Sequence, residues 1–241
     1  IMFDLLLSGV PKLLPHFGSA HIFALLVTLT LGFAIIFYAR LNKSNQFVGV
    51  VSSVLAIMLI TCYPAKILSR TLDGIPLDKD SMFPLHLCDV AAVAGFFALL
   101  FKNRLCAEMT YFFGLAATLQ ALITPSTCYD FPSFSFFAFF QLHSIVVIVA
   151  IYLPLVMDWR PRKKAVLKVW FCGLIYVLVV GTFDWITGAN YGFFRYKAEG
   201  SLMDVLHDWP FYIIEMALLA LIFFFILSLP FIGKKNQDFT S

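Results

Sequence analysis

Residues 134–157 read FSFFAFFQLHSIVVIVAIYLPLVM, 24 positions without a formal charge. At about 1.5 Å per residue a helix of this length crosses the roughly 30 Å hydrocarbon core of a bilayer. The stretch lacks the alternating pattern of a barrel strand, and backbone polar groups in lipid must be satisfied within the segment, so it is read as a helix. Working outward, six more stretches meet the same length criterion: 21–39, 47–65, 83–101, 107–124, 166–186 and 210–232. The expected fold is therefore all-α, a polytopic membrane protein with seven transmembrane helices in a single bundle domain over 1–241.

Composition agrees. Apolar residues make up 61% of the chain and charged residues only 13%, with 28 Phe and a mean hydropathy of +0.90. An average soluble domain carries about a quarter charged residues, so a soluble enzyme, a nucleic-acid-binding module and a disordered chain are excluded. A net charge of +3 is also too small to attract a nucleic acid. The five Cys include no CxxC and form neither a zinc site nor a disulfide framework. Cys62, Cys88 and Cys128 fall near one side, which leaves a disulfide between two of them open. Cys106 and Cys172 read as packing residues. The apolar stretch 1–10 contains Asp4 and has no basic flank, so no cleaved signal peptide is read there.

Orientation follows from the basic residues. Arg40, Lys43, Lys102, Arg104, Arg160, Arg162, Lys163, Lys164, Lys168, Lys234 and Lys235 gather on one side, eleven of the 17 in the chain. The other side holds Lys12, Lys66, Arg70, Lys79, Arg195 and Lys197 together with most of the acids. The positive-inside rule then places the N-terminus outside and the C-terminus in the cytoplasm, in a multi-pass cell-membrane protein. The outside connections, about 66–82, 125–133 and 187–209, are the longer ones and the expected carriers of function.

Ionisable groups within spans are costly and mark buried pairs or functional sites. Here the polar residues of the spans concentrate near the outer side: His21, His86, Cys88, Asp89, Gln120, Gln141, His143, Ser144, Asp184 and Glu215, all within about 15 Å of the outer surface at helical rise. One wet cavity in the outer half is expected to collect them. On a regular helix His86 and Asp89 share a face while His86 and Cys88 point nearly oppositely, so a base for Cys88 must come from another span. His143 lies at a matching depth. An imidazole that takes the thiol proton makes a strong nucleophile; equally, Cys88 is a small packed residue and His143 a hydrogen-bonded one. His86 and Asp89 either orient an imidazole or headgroup or form an interhelical polar pair. Asp184 and Glu215 either bind a substrate's polar part or sit solvated or salt-bridged, for example to Arg195. A metal site from His86, His143 and His207 with Asp89 or Asp184 is a further reading, although no HExxH or HxxxH spacing accompanies it. No internal repeat supports a transporter built on inverted repeats, and the inner halves of spans 1, 3, 5 and 7 are almost purely apolar, against a through-path.

The runs Phe83-Pro84-Leu85-His86-Leu87-Cys88-Asp89 and Gln141-Leu142-His143-Ser144, with Asn190 to Lys197, Ser201-Leu202-Met203-Asp204 and Asp208-Trp209-Pro210-Phe211-Tyr212, carry a family resemblance. The chain resembles the YwaF-like bacterial integral membrane proteins, related to the eukaryotic transmembrane protein 164 family, over most of its length. The resemblance implies a bacterial plasma-membrane enzyme that moves a fatty acyl chain between phospholipids, with Cys88 as nucleophile and His143 as its partner. It implies phospholipid and lysophospholipid substrates and no cofactor. In that chemistry Gln120, Gln141, Asn190 and Tyr191 are candidate oxyanion donors, and Arg195 and Lys197 candidate phosphate ligands. A non-enzymatic lipid-binding or lipid-transport protein and a metal-dependent lipid hydrolase are the competing readings.

Overall fold

The computed structural model describes residues 12–126, 128–234 and 239. The apolar stretch 1–10 and Lys235 lie outside the described residues. The described chain is all-α, built on α1 Ser19–Leu41, α2 Asn45–Leu72, α3 Leu87–Phe101, α4 Arg104–Ile123, α5 Phe134–Leu155, α6 Ala165–Thr187 and α7 Phe211–Ser228. Six of these are long and apolar enough to cross a membrane; α3, with 15 residues, is a shorter apolar helix. The protein is thus a multi-pass membrane protein by its helices. Large apolar side chains such as Phe33, Leu178 and Ile186 face outward from the bundle.

Local chemistry sets the helix starts. Ser44, Asn103 and Ser133 each accept a hydrogen bond from a backbone N–H three residues on, which satisfies a donor the helix leaves free. Lys102 in the left-handed region and Asn103 make the tight turn joining α3 to α4. Two expected boundaries are corrected. The span read from 83 begins as a helix only at Leu87: Pro84 disfavours helical backbone at Phe83, and His86 is still extended, with ψ 150°, at the N-cap. The span read as 47–65 continues through Pro64 to Leu72, so Lys66, Ser69 and Arg70 stand on a helix rather than in a loop.

α5 is the central helix, with most of its side chains buried. It packs against α2, α3 and α4 around Leu55, Leu59, Ala98, Phe112, Val146 and Tyr152. Close approach depends on missing side chains: a Cβ on Gly95 would lie 2.8 Å from Leu59 Cδ1, and one on Gly114 would lie 3.1 Å from Ala150 Cβ. Small residues let membrane helices pack backbone to backbone, where dispersion rather than the hydrophobic effect holds them. α4 is regular except for a π-helical turn at Gly114–Thr118.

Short connections gather at one end of the bundle and long ones at the other, here called the loop-rich end. The short-connection end holds an ionisable pair that the outer-half picture did not include. Glu108, fully buried, accepts from the Arg162 backbone N–H at 3.0 Å and from its guanidinium at 2.7 and 2.5 Å.

Candidate functional site

A cavity of about 780 Å³ descends from the loop-rich end into the bundle. Its upper wall is polar, with Lys66, Arg70, Asp80, His86, Cys88, Gln120, His143 and Asn190, while Phe113, Trp170, Ala220, Phe223 and Phe224 line its lower part. On α7 the lining residues Ile213, Met216, Ala217, Ala220, Phe223 and Phe224 fall at helical spacing on one face. They extend over about 16 Å at 1.5 Å per residue. Trp170 closes this wall against α7 by donating its indole N–H to the Ala217 carbonyl at 2.8 Å.

Cys88 stands in the first turn of α3 as a free thiol, where the helix leaves its first backbone N–H groups without intrahelical partners. No side chain caps this helix N-terminus. The other four cysteines are also free, so the disulfide alternative falls. His143 is buried on α5 and donates its Nδ1–H to the Phe139 carbonyl at 2.7 Å. That bond fixes the tautomer and leaves Nε2 with its lone pair.

His86 is the N-cap of α3 rather than a helical residue. The 100° phase rule therefore does not apply to it, and His86 and Cys88 line the cavity together. Its Nε2–H donates to the Asp80 carbonyl at 3.1 Å, and its ring packs on Tyr191 and Phe193. Asp89 turns away from the cavity lining toward α2. Its carboxylate lies 3.6 Å from Lys66 Nζ, with only 2% of the side chain exposed, and neither oxygen has a hydrogen bond. The sequence reading missed Lys66 because it placed the residue in a loop. It lines the same cavity as Cys88, His86 and His143 while pairing with Asp89.

The remaining expected residues divide. Gln120 and Asn190 line the cavity. Asn190 spends its side chain on the loop, accepting from the backbone N–H of Arg195 and Tyr196 and donating to the Tyr196 carbonyl. Gln141 reaches α2 instead, donating to Met58 and Thr61 at 3.5 Å. Tyr191 is fully buried and accepts from the Phe83 N–H; burial holds its phenol above the ordinary range, with Asp80 adding to this, so it stays protonated. Asp184 accepts from the Tyr191 N–H and so clamps the loop to the end of α6.

Arg195 is exposed and donates to the Gly188 carbonyl, Lys197 pairs with Asp208 and the Leu206 carbonyl, and Glu215 pairs with His207. None of these lines the cavity, because each is committed to holding the 188–210 connection. His21 and Ser144 are likewise diverted, to the Leu122 carbonyl and to Thr28. With His207 on Glu215 and Asp89 on Lys66, the residues of the metal reading do not converge. Among the described residues no three His, Cys, Asp or Glu side chains form a metal-binding group.

The sequence of residues 16–228, which includes every wall of this cavity except Leu13, matches the TMEM164 family. The chain belongs to the TMEM164 family. No curated protein and no solved structure matches it. The family match covers α1 through α7, so the cavity and its polar wall belong to the family region rather than to an appended segment.

Proposed function

We propose that this TMEM164-family chain is a seven-span membrane acyltransferase that uses Cys88 and His143 to move a fatty acyl chain from a phospholipid to a lysophospholipid. In this reading α3 is the seventh span, the loop-rich end faces outside with the N-terminus, and the C-terminus is cytoplasmic, as the positive-inside distribution favours. One observation carries the chemistry. Cys88 and His143 line the same cavity, and the Nδ1–H of His143 is committed to Phe139, which leaves Nε2 as a base.

His143 takes the Cys88 thiol proton, and the thiolate attacks the ester carbonyl. The S–C bond forms and the carbonyl pair moves to oxygen. Collapse expels the lysolipid alkoxide, which takes the proton back from His143. The thioester is then attacked by the hydroxyl of a second lysophospholipid, with His143 again as base, and the thiol is restored. The first turn of α3 presents backbone N–H groups that the helix itself leaves free. The apolar lower cavity suits the acyl chain, and Lys66 and Arg70 near the mouth suit the phosphate.

The test is acyl exchange in proteoliposomes with a labelled phospholipid. Cys88→Ala abolishes transfer and the acyl-protein intermediate, and His143→Ala lowers transfer by about 100-fold or more. Unchanged exchange in both variants overturns the reading.

A further inference from the structure

The two partners described so far leave one part of the reaction without a group, the charge that develops on the ester oxygen. Thr118 lines the same cavity. It is 2% exposed, and its hydroxyl has no hydrogen-bond partner. In this protein Thr28, Thr71, Thr110, Thr124, Thr182 and Thr187 all donate to the carbonyl four residues back. Thr118 makes no such bond; it ends the π-helical turn Gly114–Thr118, which breaks the regular four-residue register there. A buried hydroxyl without a partner is costly, and π turns recur at functional sites.

The height of Thr118 follows from contacts along three helices. α3 and α4 run antiparallel from their turn, and Gly95 meets Thr110, with 3.4 Å between a Gly95 Cβ and Thr110 Cγ2. Seven residues further toward the loop-rich end stand Cys88 on α3 and Ala117 on α4, next to Thr118. On the other side Gly114 packs on Val146 of α5, where a Cβ on Gly114 would lie 3.2 Å from Val146 Cγ1. Thr118 is four residues from Gly114, and His143 is three from Val146, both toward the loop-rich end. The π turn packs against both the Cys88 helix and the His143 helix. Thr118 is therefore level with the nucleophile and with its base, in one cavity.

We propose that Thr118 is a catalytic residue whose hydroxyl donates to the oxyanion of the tetrahedral intermediate, together with the backbone N–H groups at the start of α3. This rests on the Cys88–His143 reading above. When the Cys88 sulfur bonds the ester carbon, the carbonyl pair moves to oxygen, and the Thr118 O–H donates to it. When the intermediate collapses, the pair returns and the hydroxyl again stands without a partner. A donor aimed at charge that exists only in the transition state raises the rate without tightening substrate binding.

The experiment measures Cys88 acylation in single turnovers, using the full chain in proteoliposomes and a labelled phospholipid. Thr118→Val removes the hydroxyl at nearly constant shape, and Thr118→Ala is the second deletion. Both are expected to lower the acylation rate by about 100-fold with the KM little changed, while Thr118→Ser stays within about threefold of the parent chain. A lipid trifluoromethyl ketone, which forms an oxyanion adduct on Cys88, is expected to lose potency in Thr118→Val by a similar factor. Maleimide labelling of Cys88 at the parent rate establishes that each variant is folded. A rate within threefold of the parent in Thr118→Val overturns the proposal, as does a change confined to KM. An equal loss in Thr118→Ser also overturns it, since that variant keeps the hydroxyl. Activity that survives in Cys88→Ala refutes the dyad itself, whereas loss in Cys88→Ala with full activity in Thr118→Val refutes the Thr118 role alone.

Discussion

Lys66→Met is expected to destabilise the bundle far more than Asp89→Leu, and the two together are expected to restore most of what the first removes. Lys66 Nζ and the Asp89 carboxylate lie 3.6 Å apart, with side-chain exposures of 24% and 2%. At an effective dielectric constant of about 20 that separation is worth about 4–5 kcal/mol. Removing one partner of a buried pair typically costs about 3–5 kcal/mol, because the other charge is stranded. The two removals are not equivalent. Lys66→Met leaves Asp89 buried, with no hydrogen bond to either oxygen, and should cost the full amount. Asp89→Leu leaves an ammonium that lines the cavity and reaches water there, at about 1–2 kcal/mol. The double variant replaces the pair by apolar groups and should fall within about 1 kcal/mol of the parent, as such replacements do elsewhere. The measurement is equilibrium unfolding by denaturing detergent in mixed micelles, on all four proteins. Equal losses in the single variants that add within about 0.5 kcal/mol in the double would refute the reasoning, since uncoupled sites behave that way.

The same approach applies at the short-connection end. Arg162→Ala should lower stability by about 3–5 kcal/mol, because Glu108 is fully buried, and Glu108→Gln should lower it less; unfolding titrations that rank them oppositely would contradict this. Trp170→Ala should open the lower cavity and shift transfer toward longer acyl chains by about tenfold per preferred homologue; competition between phospholipids of different chain length measures it, and an unaltered ranking would move the acyl chain elsewhere. Arg195→Ala should leave transfer within about threefold, because Arg195 is exposed and stands outside the cavity lining; a loss confined to KM in vesicle assays would instead make it a lipid ligand.

Much of the fold was legible because membrane spans are written in bulk hydrophobicity, a property of the sequence that tertiary contacts do not alter. The stretch 134–157 returned as α5, and six helices long enough to span appear where apolar runs were read. The misplaced boundary at Leu72 had a physical cause. Lys66 and Arg70 look like loop residues to any hydropathy criterion, yet a long basic side chain can ride on a helix when a carboxylate or a polar cavity receives its head.

The candidate site was legible in part. Cys88, His143 and Gln120, read at similar depth along their spans, share the cavity with His86 and with Asn190 of the outer connection. Gln141, Tyr191, Asp184, Arg195 and Glu215 were drawn elsewhere by partners on other elements, which no spacing along the chain specifies. Thr118 carried no sequence signal, because a threonine in an apolar helix ordinarily bonds its own backbone. In the structure it stands at the end of a π turn without that bond.

By itself the sequence determined an all-α membrane protein, the approximate length of its spans, the side on which its polar groups gather and a cysteine and a histidine at matching depth. Apolar content and helical rise fix those properties locally, one segment at a time. The tertiary structure decided which polar groups meet: Lys66 on Asp89, Asp184 on the Tyr191 N–H, and a buried Thr118 hydroxyl in the cavity wall without a partner. Those choices depend on helix rotation and register, set where Gly95 and Gly114 let neighbouring helices close to van der Waals contact.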